Sequence, residues 1–247
     1  MKTSLNVILF SVIILLASCK KKETAPEVVE PRKLLTKITQ VDFTGTRFTT
    51  FSYDDQLRLK VINQYSLTTY FYDGINISAV ETATFGNAPI NKTTINYSNG
   101  RPVKAVVELK EKTRIYGYIY DGDQLSEIHV TEKGIVISIL KYKCDNHNIT
   151  SVSDSDTKST RTFTYGTNKN VYASVGLDYI LGFESIDRYS KNEELEIKVE
   201  YPGVSSLEKN VYQYDSQGYP TTKVNTYTSQ GSPPSITKYA FEYEMRK

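Results

Sequence analysis

The sequence contains no tryptophan, and it has two cysteines, two histidines and two methionines among its 247 residues. Two histidines, His129 and His147, are too few for a His-rich zinc site, although composition leaves a carboxylate calcium site open. An excess of one charge is also missing, since 30 basic side chains face 28 acidic ones. The chain therefore lacks the basic footprint of a nucleic-acid-binding protein. We expect no nucleic-acid partner and no cofactor.

A long apolar run is missing as well. The segment from Leu5 to Leu16 is twelve residues long and apolar except for Asn6 and Ser11. A membrane-spanning helix needs ~20 residues, so this segment is too short to span and is typical of a secretory signal. It closes with Leu16-Ala17-Ser18-Cys19, which resembles the lipobox of bacterial lipoprotein precursors. The alternative is an ordinary cleaved signal that ends beside a chance cysteine.

The lipobox resemblance implies cleavage before Cys19 and a membrane anchor on its sulfur. We therefore predict a signal peptide at 1–18, a lipidated flexible tether at 19–33 and a folded domain at 34–247. Several acyl chains on one residue give stable anchoring. Lys20 stands where an inner-membrane retention signal would place aspartate. The resemblance thus implies an outer-membrane lipoprotein that faces the periplasm or the cell surface.

A tyrosine-centred pattern recurs through the folded segment. Each copy has an apolar residue, any residue, a tyrosine and then a polar turn, and successive tyrosines are 19, 25, 23, 22, 23, 24, 25 and 29 residues apart. Such regular spacing indicates a structural repeat. We name these residues the anchor tyrosines: Tyr53, Tyr72, Tyr97, Tyr120, Tyr142, Tyr165, Tyr189 (a weaker copy), Tyr214 and Tyr243.

The residues after each anchor predict hairpin turns. In the stretch YIYDGDQLSEI, Asp121 and Asp123 flank Gly122 and could suggest an acidic site. Glycine, asparagine, aspartate and serine recur at this point in other copies, which favours turn chemistry. Alternating segments follow, such as Leu195 to Tyr201, where every second residue is apolar. The fold class is therefore all-β: a long antiparallel meander of hairpins forming a strongly curved or barrel-like sheet.

One segment breaks the rhythm. Tyr172, Val175, Tyr179 and Phe183 lie at helical spacing. We predict a short helical or irregular insert at 171–186 that fills the concave side of the sheet. The alternative is a lid over a ligand pocket.

The repeat resembles two known groups. Tyr212-x-Tyr214-Asp215-x-x-Gly218 is similar to the YD repeats of bacterial Rhs-type shells, which are far longer. The closer resemblance, over residues 34–247, is to small YD-repeat-like lipoproteins of Gram-negative bacteria, a domain family of unknown function with a porin-like β fold. This family implies no catalytic residues. We do not expect a pore, because the strands read as shorter than the ~9–11 residues of a membrane barrel and carry Lys and Glu at outward positions.

The function predicted from the sequence is a non-enzymatic binding or scaffold module. Exposed tyrosines on a curved sheet can stack on sugar rings, so Tyr53, Tyr72, Tyr97 and Tyr120 are the candidate ligand-binding residues. A polysaccharide or another envelope protein is the expected partner. The alternative is that these tyrosines are the core and pack on one another across strands.

A glycan- or peptidoglycan-acting hydrolase is the other function considered. It needs two carboxylates, or Cys144 with a histidine, converging in a cleft near residues 171–186. Cys144 and His147 stand close together in the sequence, but catalytic partners usually meet across the fold. With Cys19 lipidated, Cys144 also has no disulfide partner. We therefore assign no catalytic residue and no metal ligand.

Overall fold

A computed structural model describes residues 31–84, 89–173, 175 and 190–247. Sixteen antiparallel strands form one closed barrel, in which each strand pairs with its neighbours in sequence and β1 pairs with β16. The predicted all-β meander is confirmed. The strands are β1 (Arg32–Asp42), β2 (Gly45–Tyr53), β3 (Leu59–Asn63), β4 (Ser66–Asp73), β5 (Asn76–Thr84), β6 (Pro89–Ser98), β7 (Arg101–Leu109), β8 (Lys112–Asp121), β9 (Gln124–Glu132), β10 (Ile135–Asp145), β11 (Asn148–Asp154), β12 (Ser159–Lys169), β13 (Asn192–Tyr201), β14 (Val204–Tyr214), β15 (Pro220–Ser229) and β16 (Ser235–Arg246).

The first and last strands close the barrel. Their register runs from Arg32 opposite Arg246 to Val41 opposite Lys238. On the inner face Ile38 lies opposite Phe241, and both are buried. Closure removes the free sheet edges that would otherwise invite pairing with another chain.

The hairpin turns alternate between the two ends of the barrel. Turns after even-numbered strands follow the anchor tyrosines, and we name this the anchor end; the opposite end is the far end. Between β8 and β9, Asp121 pairs with Gln124, and Gly122 has a φ of 55°. Asp123 is 88% exposed and forms an ion pair with Arg101. Asp121 and Asp123 are thus turn residues, as predicted.

The anchor tyrosines tie one hairpin to the next. Several of them donate their hydroxyl to a backbone carbonyl on the preceding strand, near the anchor end. A buried tyrosine that finds such an acceptor contributes both ring burial and a hydrogen bond. The distances are 2.8 Å from Tyr53 to Leu35, 2.7 Å from Tyr72 to Leu59, 2.9 Å from Tyr120 to Pro102 and 2.6 Å from Tyr165 to Ile149. This geometry explains why one residue type recurs at one position.

Two sides of the interior differ. Strands β4–β11, which we name the packed side, fill their inner face with apolar and tyrosine side chains such as Ile128, Leu140 and Tyr118. These belong to the same buried cluster as Leu34 and Phe51 from the opposite wall. Each fully buried aliphatic side chain contributes roughly 1.5–3 kcal/mol. On the packed side, side chains therefore fill part of the barrel interior.

The remaining strands, β12–β16 and β1–β3, form what we name the cavity side. Its turns at the anchor end are longer than the two-residue turns of the packed side. The connection from β12 to β13 is the longest, and its two ends are held together by a 3.1 Å hydrogen bond from Asn170 N–H to Lys191 C=O. Of the insert predicted at 171–186, only 171–173 and 175 are described, and they form turns. Val175 is buried in the core, and Tyr172 contacts Phe51 edge-on with ring centroids 6.3 Å apart.

Other sequence predictions are wrong or concern residues outside the described ranges. The expectation of short strands is wrong, since all but β3, β4 and β11 have nine residues or more. The predicted signal peptide, Cys19 and Tyr189 lie outside the described residues. Within the described ranges, no helix is long and apolar enough to cross a membrane.

Candidate functional site

A cavity of about 340 Å³ lies inside the barrel on the cavity side. Its size falls near the lower end of ligand pockets, ~300–1,000 Å³. Aromatic and aliphatic side chains form part of the wall, among them Phe51, Phe163, Tyr172 and Ile62. Five charged side chains and several amides form the rest: Arg161, Lys223, Glu193, Glu194, Glu208, Gln40, Gln64, Asn170 and Asn210.

Glu193, at the start of β13, is the most enclosed carboxylate of this wall. It is 2% exposed. Its Oε1 accepts hydrogen bonds from the Tyr214 hydroxyl at 2.9 Å and from Asn168 Nδ2 at 3.4 Å. Its Oε2 is buried without a hydrogen-bond partner. Burial and the hydrogen bond to Glu193 together raise the pKa of Tyr214 to about 12, so this hydroxyl stays a proton donor.

Gly166 on β12 provides the space that Glu193 occupies. A Cβ at this position would overlap the Glu193 carboxylate. Glycine inside a strand costs stability, and it often marks a place where another group approaches the backbone closely. The glycine and the glutamate therefore form one local arrangement.

A chain of amides runs across three strands from the backbone carbonyl of Glu194, the next residue. Asn210 Nδ2 donates to the Glu194 carbonyl at 2.9 Å, and Asn225 Nδ2 lies 2.9 Å from Asn210 Oδ1. Asn225 also donates to Glu208 Oε2 at 3.1 Å. Both asparagines are buried. Buried polar side chains joined in this way fix the orientation of the groups that face the cavity.

Cations complete the wall. Lys223 Nζ lies 4.3 Å from the centre of the Tyr239 ring. Burial and the charge of Glu208 raise the pKa of Tyr239, so the phenol remains neutral. Together with Arg161, the lysine leaves three carboxylates against two cations around the cavity. The arrangement offers both hydrogen-bond donors and acceptors beside aromatic rings, which suits a small polar molecule.

The four predicted ligand-binding tyrosines lie in the barrel wall on its inner face. Tyr53 is buried, and Tyr72, Tyr97 and Tyr120 are half-buried against the core. The hydroxyls of Tyr53, Tyr72 and Tyr120 are engaged by backbone carbonyls. None of the four lines the cavity. Their role in ligand binding stays a prediction.

The other candidates occupy separate places. The Cys144 thiol donates to the Leu125 carbonyl at 3.7 Å, and burial raises the pKa of this thiol. His147 lies in the following turn with a φ of 63°. His129 contacts Glu127 at 2.8 Å on the outer face. Within the described ranges, no three His, Cys, Asp or Glu side chains form a group suited to a metal ion.

Sequence reasoning missed Glu194 because a register shift reverses its face. Between Thr164 and Tyr165 the pairing partner jumps from Glu196 to Glu194, so Leu195 is an extra residue. Leu195, predicted to be buried, is 38% exposed, while Glu194 is buried. Such a bulge re-aims the side chains that precede it. The signal available in the sequence was Gly166, an isolated glycine within a strand pattern.

Comparisons with known proteins give the fold. No family model matches the chain, and no curated protein matches it in sequence. A porin-like protein from Bacteroides uniformis matches with a TM-score of 0.60 and 14% identity over 85% of this chain and 96% of the other. A porin-like protein from Bacteroides vulgatus matches with a TM-score of 0.57 and 15% identity over 86% of this chain and 99% of the other. The porin-like β fold implied by the resemblance is thus confirmed, whereas a YD-repeat family is not shown.

Proposed function

We propose that the protein is a non-enzymatic binding protein of the bacterial cell envelope that holds a small saccharide inside its barrel. The observation that carries this proposal is the cavity of about 340 Å³, with amides, carboxylates and cations beside aromatic rings. Sugars present hydroxyls that such polar groups bind and apolar faces that stack on rings. The sequence predicted binding on an exposed surface of the repeat, whereas this proposal places the ligand in the interior of the barrel.

The outer face of the barrel favours an aqueous surrounding over a lipid one. Charged pairs lie on this face, such as Lys37 with Glu242, Lys92 with Glu81 and Lys209 with Glu196. A lysine or arginine facing the middle of a bilayer costs about 2–4 kcal/mol. Attachment through a lipid on Cys19 is therefore the membrane link we propose, with the barrel beside the outer membrane rather than within it. The likeness to porin-like Bacteroides proteins supports an envelope location.

The test is a thermal-shift and calorimetry screen of the full chain in detergent against hexoses, amino sugars and disaccharides. A ligand that binds the folded state raises the unfolding temperature with concentration. The variant Lys223→Met removes a cavity cation and keeps its aliphatic stem, so we expect about tenfold weaker binding. Lys209→Met, on the outer face of β14, is the matched control. Absence of binding by the whole panel, or equal weakening in both variants, contradicts the proposal.

A second candidate, hydrolysis of a glycan, rests on one observation. Glu193, Glu194 and Glu208 border the same cavity as Val171 and Tyr172, which is the convergence that this alternative required. Glycoside hydrolysis uses two carboxyl groups about 5–10 Å apart. Release of 4-nitrophenol from nitrophenyl glycosides, lost in Glu208→Gln, would favour this function over simple binding. Unchanged substrates would exclude it.

A further inference from the structure

Glu193 is a buried acidic group that the fold leaves half satisfied. Two neutral donors, Tyr214 and Asn168, share its Oε1, and Oε2 has no partner. No lysine or arginine of the described chain forms an ion pair with it. A buried carboxylate without a cation costs far more than an exposed one. The partner that Oε2 lacks is therefore expected to be a cation or a strong hydrogen-bond donor.

We propose that Glu193 binds the ammonium group of the cavity's ligand, so that the preferred saccharide is an amino sugar. This inference rests on the proposed function and names the substrate class of the same site. An ammonium group supplies three donors and a full positive charge, which a hydroxyl does not. In a water-poor site such a charge-assisted hydrogen bond is roughly twice as strong as a neutral one.

The charges around the cavity agree with a cationic ligand. Three carboxylates, Glu193, Glu194 and Glu208, face two cations, Arg161 and Lys223. A ligand with one positive charge brings this count into balance. Balance matters here because the interior screens charges weakly.

The aromatic wall adds a second attraction for the same group. Phe51, Phe163, Tyr172 and Tyr212 border the cavity, and Tyr172 meets Phe51 edge-on. A cation near such ring faces is attracted by their electron density. Lys223 already uses this interaction on Tyr239, which shows that the wall accommodates an ammonium group over a ring.

The surroundings of Glu193 are shaped for the carboxylate rather than for packing. Gly166 leaves room where any side chain would overlap it, and Tyr214 and Asn168 hold only one oxygen. Glu193 borders the cavity, and Oε2 is the oxygen that these two donors leave available to a ligand. Glycine inside a strand costs stability, and packing alone does not explain its presence on β12.

The experiment compares glucosamine, glucose and N-acetylglucosamine by calorimetry at mildly acidic pH, where the glucosamine amine is protonated. The three sugars differ only at one substituent: ammonium, hydroxyl or acetamide. With the full chain in detergent, we expect glucosamine to bind at least tenfold more tightly than the other two. In Glu193→Gln, which keeps the shape and removes the charge, glucosamine should bind no more tightly than glucose. Glu196→Gln, an outward-facing change on the same strand, is the control and should keep the preference.

The unfolding temperature without ligand provides an independent readout. Removal of an unpaired buried charge should make Glu193→Gln unfold a few degrees higher than the native chain. A second variant, Gly166→Ala, retains the charge but displaces the carboxylate and should also lose the preference for glucosamine. Circular dichroism checks that both variants fold.

The outcomes separate this inference from the proposed function. Equal binding of glucosamine and glucose, or a preference retained in Glu193→Gln, overturns the ammonium assignment and leaves a saccharide-binding barrel. A Glu193→Gln variant that is more stable and binds glucosamine unchanged shows a purely structural glutamate. Failure of all three sugars to bind overturns this inference, and the wider panel of sugars then decides the proposed function.

Discussion

The packed side and the cavity side are built from the same repeat but fill the barrel differently. On β8 and β10 the inward positions hold Tyr118, Leu140 and Tyr142, all buried in the core. On β14 and β15 the equivalent inward positions hold Glu208, Asn210 and Lys223, which border the cavity. The strands of both sides pair in the same antiparallel meander. Along these strands, the inward side chains therefore distinguish core from cavity lining.

The turns at the anchor end follow the same division. On the packed side two residues connect the strands, as at Gly122 and Asp123 between β8 and β9. On the cavity side the turns are longer, and Asp54 and Asp215 each accept hydrogen bonds from backbone N–H groups two and four residues onward. A register shift precedes the anchor-end turn on both sides, between Ile119 and Tyr120 on β8 and between Gln213 and Tyr214 on β14, so the length of the turn, and not the shift, distinguishes the two sides.

The largest expected difference concerns the cost of removing an isoleucine from each side. Ile128, on the packed side, is fully buried among other core residues. We expect Ile128→Ala to reduce the free energy of unfolding by about 2–5 kcal/mol because it leaves a new void. Each kcal/mol of lost stability lowers Tm by roughly 2–4 °C.

The matched change is Ile62→Ala on the cavity side. Ile62 is 7% exposed but borders an existing cavity, so it has fewer neighbours to lose. We expect a loss at the low end of the same range. Chemical denaturation of both variants measures the two values. Equal losses would mean that the cavity side is as tightly packed as the rest of the barrel.

A smaller effect is expected for the tyrosine hydroxyls of the packed side. Tyr120 and Tyr118 lie on the same strand, two residues apart, and both face inward. The Tyr120 hydroxyl donates to the Pro102 carbonyl at 2.9 Å, whereas the Tyr118 hydroxyl is buried without a hydrogen-bond partner. Tyr120→Phe should cost about 1–2 kcal/mol because it leaves that carbonyl unsatisfied.

Tyr118→Phe serves as the control on the same strand. It removes a hydroxyl whose burial is uncompensated, so we expect no loss of stability, or a slight gain. Thermal unfolding of the two variants separates the hydrogen bond from the ring. If both changes cost the same, the hydroxyl-to-carbonyl bonds do not explain the recurrence of tyrosine.

The sequence predicts the repeated half of this molecule better than the functional half. The spacing of anchor tyrosines and the turn residues after them predict the meander and the turn at Asp121. Local patterns carry that information, because a hairpin is made by neighbours in the chain. The number of strands was also within reach, since each repeat contributes two.

The cavity could not be predicted in the same way. Its walls come from β1–β3 and β12–β16, which meet only because β1 pairs with β16. The shift at Leu195 also reverses the alternation that made Leu195 to Tyr201 look like a plain amphipathic strand. Period-two patterns assume an unbroken register, and one extra residue exchanges the inner and outer faces. A reading of the plain alternation therefore led away from Glu194.

The smallest expected effect lies in the longer turns of the cavity side. Burial would raise the pKa of Asp54, but the Arg58 guanidinium and the N–H groups of Arg58 and Gln56 lower this pKa below its usual value. A carboxyl group whose pKa is lower in the folded state stabilises the protein above its ordinary pKa, about 4. That contribution disappears as the pH falls through the folded-state value. Asp54→Asn should therefore lower Tm by about 2 °C at neutral pH and by progressively less in acid.

Asp55→Asn, an exposed neighbour in the same turn, should leave Tm unchanged at every pH. A constant difference between Asp54→Asn and the native chain from neutral to acidic pH would show that the turn does not depend on the Asp54 charge.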